Sequence, residues 1–561
     1  MSERTRQVGH RQSSGTGAVP DAGRRRIDSC PARSYGRAAW LLAAFALPFA
    51  APAAGRVQQD AMQTAPERTG FAETTRYDEV VAFMRAADAA SDRIHMMTYG
   101  YTMEGRPMPL AVVGNVADAS PAAIRGAGRT IVYLQGNIHA GEVEGKEVLL
   151  MLLRDFAQGR RLELLDSLVL LVAPIYNADG NERVLLTNRG SQNGPVGGMG
   201  QRPNAQGFDL NRDHMKLDSP EARSLAMLLA RYDPHVGVDL HTTNGTRHAY
   251  HLTYAPPLNP NTDSTIIALL RDRWLPAITT NVRDKYGWEF YYYGNVQGEG
   301  EERGWWTFDH RPRFNNNYLG LRNRIAILSE AYSYATFQDR ITATNRFVQE
   351  ILALAYANAA ELRRLTANAD ASSIVGHSLA VRSDFERSPE QVEILMGEVA
   401  EERNPYTGRR MLRRLDVKRP ERMWEYGTFR PTETERAPRA YLVPAELIEI
   451  LDRLRIHGVQ SSPLAAGRSI RLEKFRIDST RVAEREFQGH NERTLFGTWE
   501  AATETVAAGT HVVPVDQPLG RLIFYLLEPR SDDGFADWAL LDRQLENATH
   551  YPIFRTDETL R

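Results

Sequence analysis

The sequence predicts an α/β fold with a mostly parallel, mixed sheet and flanking helices, followed by a smaller β-rich domain. Three observations predict it. Buried-looking apolar runs such as TIVYL (residues 130–134) alternate with amphipathic helical stretches, the pattern of a sheet covered on both faces. At 561 residues the chain is too long for one core, so two folded domains are expected. Near residue 371 the texture changes, and strands dominate from there on.

In chain order, YDEVVAFMRAADAAS (77–91) has helical spacing. Residues 94–114 read as two strands joined by turn chemistry at Glu104-Gly105. TIVYLQG is a buried strand, and residues 142–159 form an amphipathic helix closed by Gly159. DSLVLLVAP is a second buried strand. Ser219 caps the next helix, with Pro220 at its first position. HVGVDLH and RIAILSE supply the third and fourth buried strands. A long helix over Thr342–Leu365 is expected to close the first domain, with ANADASS (367–373) as linker. Beyond it, Pro444 opens and Gly458 closes one helix, SIRLEKFRID alternates as a half-buried strand, and HVVPVDQPLGRLIFYLLEP is read as two more strands.

Composition narrows the function classes. The chain is 42% hydrophobic and 25% charged with a net charge of −2, so no global field draws nucleic acid or an anionic membrane. The single cysteine, Cys30, allows no internal disulfide, and any zinc site must use histidine and carboxylate. Residues 1–54 read as an N-terminal leader and secretory signal peptide. Arginines (Arg24 to Arg26, Arg33, Arg37) precede an apolar stretch from Ala38 to Ala51, and APAAG offers cleavage after Ala53 or Ala54. That stretch is too short to span a bilayer, and no membrane span is expected in the mature chain.

In open α/β sheets ligands bind beyond the carboxyl ends of the strands. The first strand delivers His139 and Glu142 there, the third His241 and the fourth Glu330. With 14 histidines, about one HxxE pair arises by chance, so His139 and Glu142 alone decide nothing. Two histidines and a glutamate together make a three-ligand set that leaves a catalytic zinc one open position. Glu330 is the candidate to take a proton from water. The stretch RPNAQGFDLNRDH (202–214) adds guanidinium, carboxylate and amide groups able to clamp a carboxylate or stabilise an oxyanion.

Six ordered stretches between residues 75 and 365 resemble the M14-type zinc carboxypeptidases: EGRPMPL, GNIHAGE, PIYNADGNE, GFDLNRD, DLHTTNG and ILSEAYSY. The resemblance implies a zinc carboxypeptidase domain over residues 70–368, with residues 371–561 a β-rich domain to which it assigns no chemistry. It implies one Zn2+ per chain on His139, Glu142 and His241. Asp209 would accept a hydrogen bond from His139, and Asn211 and Arg212 would grip the substrate's C-terminal carboxylate. Arg202 would stabilise the oxyanion, with Arg189 in the glycine-rich loop 188–199 competing for that role. Glu330 would be the general base, and Tyr318 a candidate for the tyrosine that closes over the substrate. Ala178 stands where the family has proline.

The function these readings predict is a secreted or periplasmic zinc metallocarboxypeptidase acting on peptide or protein C-termini. The alternative is a zinc amidohydrolase of the same fold acting on N-acyl amino acids or cell-wall peptides. A non-catalytic binding protein is disfavoured because every metal and base position is filled.

Overall fold

The computed structural model describes residues 62–243 and 245–560; the expected leader and signal segment lies outside the described residues. Helix α1 (Tyr77–Ala90) leads into the hairpin of β1 (Ile94–Tyr101) and β2 (Pro107–Val113). There follow β3 (Thr130–Gly136), α2 (Glu144–Ala157), β4 (Leu168–Ala173), α3 (Pro220–Tyr232), β5 (Val236–Thr242), β6 (Leu252–Ala255), β7 (Phe290–Tyr292), β8 (Asn295–Gln297), β9 (Gly304–Trp306), α4 (Asn315–Leu321) and β10 (Ile325–Ala331). Eight of the strands form one sheet in the order β1-β2-β4-β3-β5-β10-β6-β7. Its centre, β4-β3-β5-β10, is parallel, while β1, β2 and β6 pair antiparallel.

Both faces of this sheet are buried, which is why its central strands read as unbroken apolar runs. The period of two sorts their side chains. Val132, Leu134, Val172, Val238 and Leu240 pack with α1, α2 and the helix α5 (Phe337–Ala357). Ile131, Tyr133, Val169 and Leu171 face the other way, onto α3 and α4. Gly145 lets α2 lie close on β5, because a Cβ there would sit 2.6 Å from Leu240 Cβ.

Four expectations about elements need correction. The helix expected over Thr342–Leu365 is two helices, α5 and α6 (Ala359–Ala371), broken at Asn358, whose side-chain amide donates to the Leu354 carbonyl at 2.8 Å. The supposed linker is helical to Ala371, with Ala369 buried. Pro444 ends a strand instead of opening a helix, and the helix α7 (Ile448–His457) begins four residues later. GRLIFYLL is not a strand but the helix α8 (Gly520–Leu527). Leu522 through Leu527 are all fully buried, so no apolar periodicity distinguished the two states.

Beyond residue 371 strands do dominate. The pairs β11 (Ser378–Glu386) with β16 (Thr428–Arg436) and β13 (Val399–Arg403) with β14 (Arg410–Arg414) are separate two-stranded antiparallel ladders. In the next sheet β12 (Val392–Met396) pairs with β15 (Arg419–Tyr426), and β15 runs parallel to β9, so this sheet joins both halves of the chain. A six-stranded sheet contains β17 (Ala440–Val443), β18 (Ser462–Pro463), β19 (Arg468–Val482), β20 (Arg493–Val506), β21 (His511–Pro514) and β22 (Phe554–Thr556). Its Tyr441 and Val443, with Phe524 of α8 and Trp538, enter the same apolar core as Tyr133 and Leu171 of the large sheet. The two textures therefore meet without a solvent-filled seam.

Candidate active site

At the carboxyl end of the large sheet, β3 stops at Gly136 and Asn137 takes a left-handed conformation (φ 66°) that swings the chain out of the strand. A turn follows in which the Glu142 amide donates to the His139 carbonyl at 2.9 Å. It brings Glu142 Oε1 to 3.0 Å from His139 Nδ1. His241, near the end of β5, sets its Nδ1 2.9 Å from Glu142 Oε2. These three side chains are 2–3% exposed, and their ligand atoms lie within 4.8 Å of one another. Among the described residues no other group of three or more His, Cys, Asp or Glu is so arranged.

Each imidazole stands between two carboxylates. His139 Nε2 is 2.9 Å from Asp209 Oδ1, and His241 Nε2 is 2.8 Å from Asp239 Oδ2. For all four contacts to be hydrogen bonds, each ring must carry protons on both nitrogens. A divalent cation taken up by the two Nδ1 atoms and Glu142 replaces two of those protons charge for charge. It leaves both Nε2–H bonds in place to fix ring orientation and tautomer. Two nitrogens, one carboxylate and no thiolate fit zinc.

The field at the site keeps its carboxylates charged. Burial pushes Glu142 up, but the charges and hydrogen bonds of His139, Arg189 and His241 carry it well below the usual carboxylate range. Asp209 is likewise pushed up by burial and carried well below its ordinary value by His139, Arg212 and Arg202. Burial lowers the His241 imidazole, yet Asp239 and Glu142 raise it well above its ordinary value. Glu330 differs. It pairs in register with His241 across β10 and β5, and its Oε2 is buried without a partner. Burial first, and the nearby charge of Glu142, raise it to about 8. A bound dication would lower it toward neutrality.

A cavity of about 530 Å³ opens beside these groups, lined also by Arg189, Arg202, Asn211, Arg212, Tyr293, Phe308, Phe314 and Leu328. Arg202 grips Asp209 with two nitrogens, at 2.9 and 2.7 Å, and its Nη1 is 3.3 Å from His139 Nδ1. Arg189 pairs with Glu142 directly, so both candidate arginines reach the site. Asn211 is oriented by the Asn315 amide, which donates to its Oδ1 at 2.9 Å. The Arg212 guanidinium lies 3.9 Å over the Phe314 ring and donates to the Asn211 carbonyl.

Tyr318 is not brought to the cavity. It is 1% exposed, its hydroxyl bonded to His457 Nδ1 at 2.8 Å inside the core. The reason is its place on α4, whose apolar face packs under the sheet. Tyr293, just past β7, is the tyrosine that lines the cavity. Sequence reasoning also passed over Asp239, although the spacing of two on a strand puts it on the same side as His241. Tyr293 carried no comparable signal. Trp305 and Trp306 serve packing, the first fully buried and the second stacked 3.6 Å from Tyr426. His248 and His251 pack against Tyr332 and Trp288.

Residues 80–263 match the family model of the zinc carboxypeptidases, peptidase M14. That stretch holds His139, Glu142, Asp209, Asn211, Arg212 and His241 and ends before Glu330. Carboxypeptidase 2 of Trichophyton tonsurans is 24% identical over 526 residues, spanning 87% of this chain and 88% of its own length. Carboxypeptidase 2 of Trichophyton equinum is 25% identical over 524 residues, spanning 87% of both. These spans necessarily include β-rich residues as well as the peptidase stretch. Carboxypeptidase D of Homo sapiens is 31% identical over 170 residues, 26% of this chain and 12% of its own. With its ordered motifs, its α/β sheet and a His-Glu-His cluster able to hold a metal, the chain carries an M14 zinc carboxypeptidase domain, that of a metallocarboxypeptidase hydrolase.

Proposed function

We propose that the chain is an exported enzyme that removes C-terminal residues from peptides, with one zinc held by His139, Glu142 and His241. Zinc held there supplies Lewis acidity. The chain's own residues do the rest. Glu330 takes a proton from the attacking water at its unpartnered Oε2 and hands it to the leaving amine. Arg202 or Arg189 stabilises the oxyanion by charge-assisted hydrogen bonds. Asn211 and Arg212 hold the terminal carboxylate, and Tyr293 replaces Tyr318 as the phenol beside the substrate. The observation that carries this reading is the shared cavity, whose lining includes Arg212, Glu330, His139 and His241.

The test compares a free-acid peptide with its C-terminally amidated twin. Arg212→Ala is expected to weaken binding of the free acid by roughly 1.5–3 kcal/mol, the range for a hydrogen bond to a charged group. It should scarcely change the already poor amide. Equal loss on both peptides would make Arg212 structural. Efficient cleavage of the amide by the unmodified enzyme would reject the carboxypeptidase reading in favour of the amidohydrolase. Export rests on the charged, apolar and small-residue segments over residues 24–55. N-terminal sequencing of protein from the envelope or medium should begin near Gly55, and an intact Met1 in the cytoplasm would refute it. Among the described residues no helix is long and apolar enough to cross a membrane.

A further inference from the structure

We propose that the β-rich region takes part in substrate recognition. Gln488, at the tip of its longest hairpin, is a positioning residue that holds the Asp209–Arg212 turn in its carboxylate-gripping conformation. The inference rests on the reading of Asn211 and Arg212 given above.

The hairpin of β19 and β20 extends its tip, residues 483–492, to the peptidase loop. There Gln488 Oε1 accepts the Asp209 backbone N–H at 2.7 Å. The Asp209 side chain is fully employed within the peptidase half, on His139, Arg202 and the Asn211 amide. Its backbone N–H, by contrast, finds its acceptor only in the β-rich region. The tip is shaped for this contact. Gln488 and Gly489 are consecutive left-handed residues (φ 53° and 85°), closed by the Phe487 amide donating to the His490 carbonyl at 2.7 Å. A Cβ on Gly489 would lie 3.2 Å from the Phe208 ring, the residue before Asp209. His490 Nε2 anchors the tip 2.6 Å from Asp218 Oδ2.

The β-rich region braces the turn from its other flank as well, through Glu492 of the hairpin tip and Asp533 beyond α8. Glu492 and Asp533 each accept from Arg313 at 2.7 Å. Arg313 immediately precedes Phe314, on which the Arg212 guanidinium rests, and Asn315, whose amide orients Asn211. Loss of the Gln488 oxygen leaves the Asp209 donor unpaired in a largely buried place and frees the turn to drift.

The experiment uses the full chain loaded with zinc. Gln488→Met keeps length and volume but removes the acceptor, and Gly489→Ala disturbs the tip without touching Gln488. For both variants KM for a free-acid peptide is expected to rise about three- to tenfold, the scale of one hydrogen bond. Turnover should hold within about twofold, with zinc content unchanged, because the metal and the base are untouched. The amidated peptide should respond to neither variant. Unchanged KM for the free acid, or equal losses on both peptides, would overturn the proposal. Arg212→Ala measured alongside separates the two claims. If it lowers free-acid binding and Gln488→Met does not, only this inference fails; if Arg212→Ala also has no effect, the carboxylate-grip reading fails with it.

Discussion

Two buried clusters in this molecule use the same residue types to opposite ends. At the carboxyl edge of the large sheet, Glu142 and Asp209 are surrounded by imidazoles and guanidiniums, and both carboxyls are held well below their usual range in spite of burial. In the β-rich region, Glu528 is as deeply buried, but it accepts from the Tyr441 hydroxyl at 2.5 Å, faces one guanidinium, Arg555, at 3.6 Å, and its Oε2 has no partner. Burial raises it to about 7. What a buried carboxylate can do is thus set by how many cations and donors pack around it and how closely, not by burial itself. The first cluster is kept ionised and can hold a metal; the second favours its proton and serves packing.

That contrast can be broken most severely at the metal. His241→Ala should reduce both zinc content, read by elemental analysis, and peptidase activity to background, because the donor set loses one of its two nitrogens. Acid should act the same way on the unmodified enzyme, since protons compete with the metal for the two imidazoles. A His241→Ala protein with full zinc would sink the ligand assignment.

A smaller effect is expected from the packing side. Trp538 is fully buried in the core shared with the large sheet, donates to Asp533 at 2.8 Å and lies under the Arg313 guanidinium. Trp538→Ala should cost about 3–5 kcal/mol, as for other large aromatic truncations. Because the core is continuous, denaturant unfolding followed by both activity and far-UV signal should move as one transition. Separate transitions would show the β-rich region to unfold alone.

The mildest effect concerns Glu528. Its folded value of about 7 lies above the ordinary 4.5. The fold therefore prefers the protonated form, and this contribution is present below about pH 4.5 and lost as pH rises through about 7. Glu528→Gln, neutral throughout, should raise the melting temperature at pH 8 relative to the parent and change it little at pH 5. A parallel pH profile for the two proteins would place the titration elsewhere.

The sequence made the central sheet legible because parallel strands buried on both faces leave unbroken apolar runs. The same runs point to their own ends, where His139, His241 and Glu330 sit. Asp239 was within reach by the alternation of a strand. Tyr293 was not, since a tyrosine after a short edge strand resembles any other and Tyr318 stood in the better-matched stretch. The helix α8 was misread because an apolar run buried all round has no period to read. The contact of Gln488 with Asp209 spans 279 residues of sequence and rests on one amide oxygen, a signal that no local pattern carries.

The central claim is that the metal seat and the proton-transfer group are separate: His139, Glu142 and His241 bind, and Glu330 only reacts. It is tested most directly by measuring zinc content and turnover together on Glu330→Gln. The account expects full zinc and a turnover lowered about 10³- to 10⁴-fold, toward the upper range for a general acid–base group. Loss of zinc with the glutamate, or turnover within about tenfold of the parent, would contradict it.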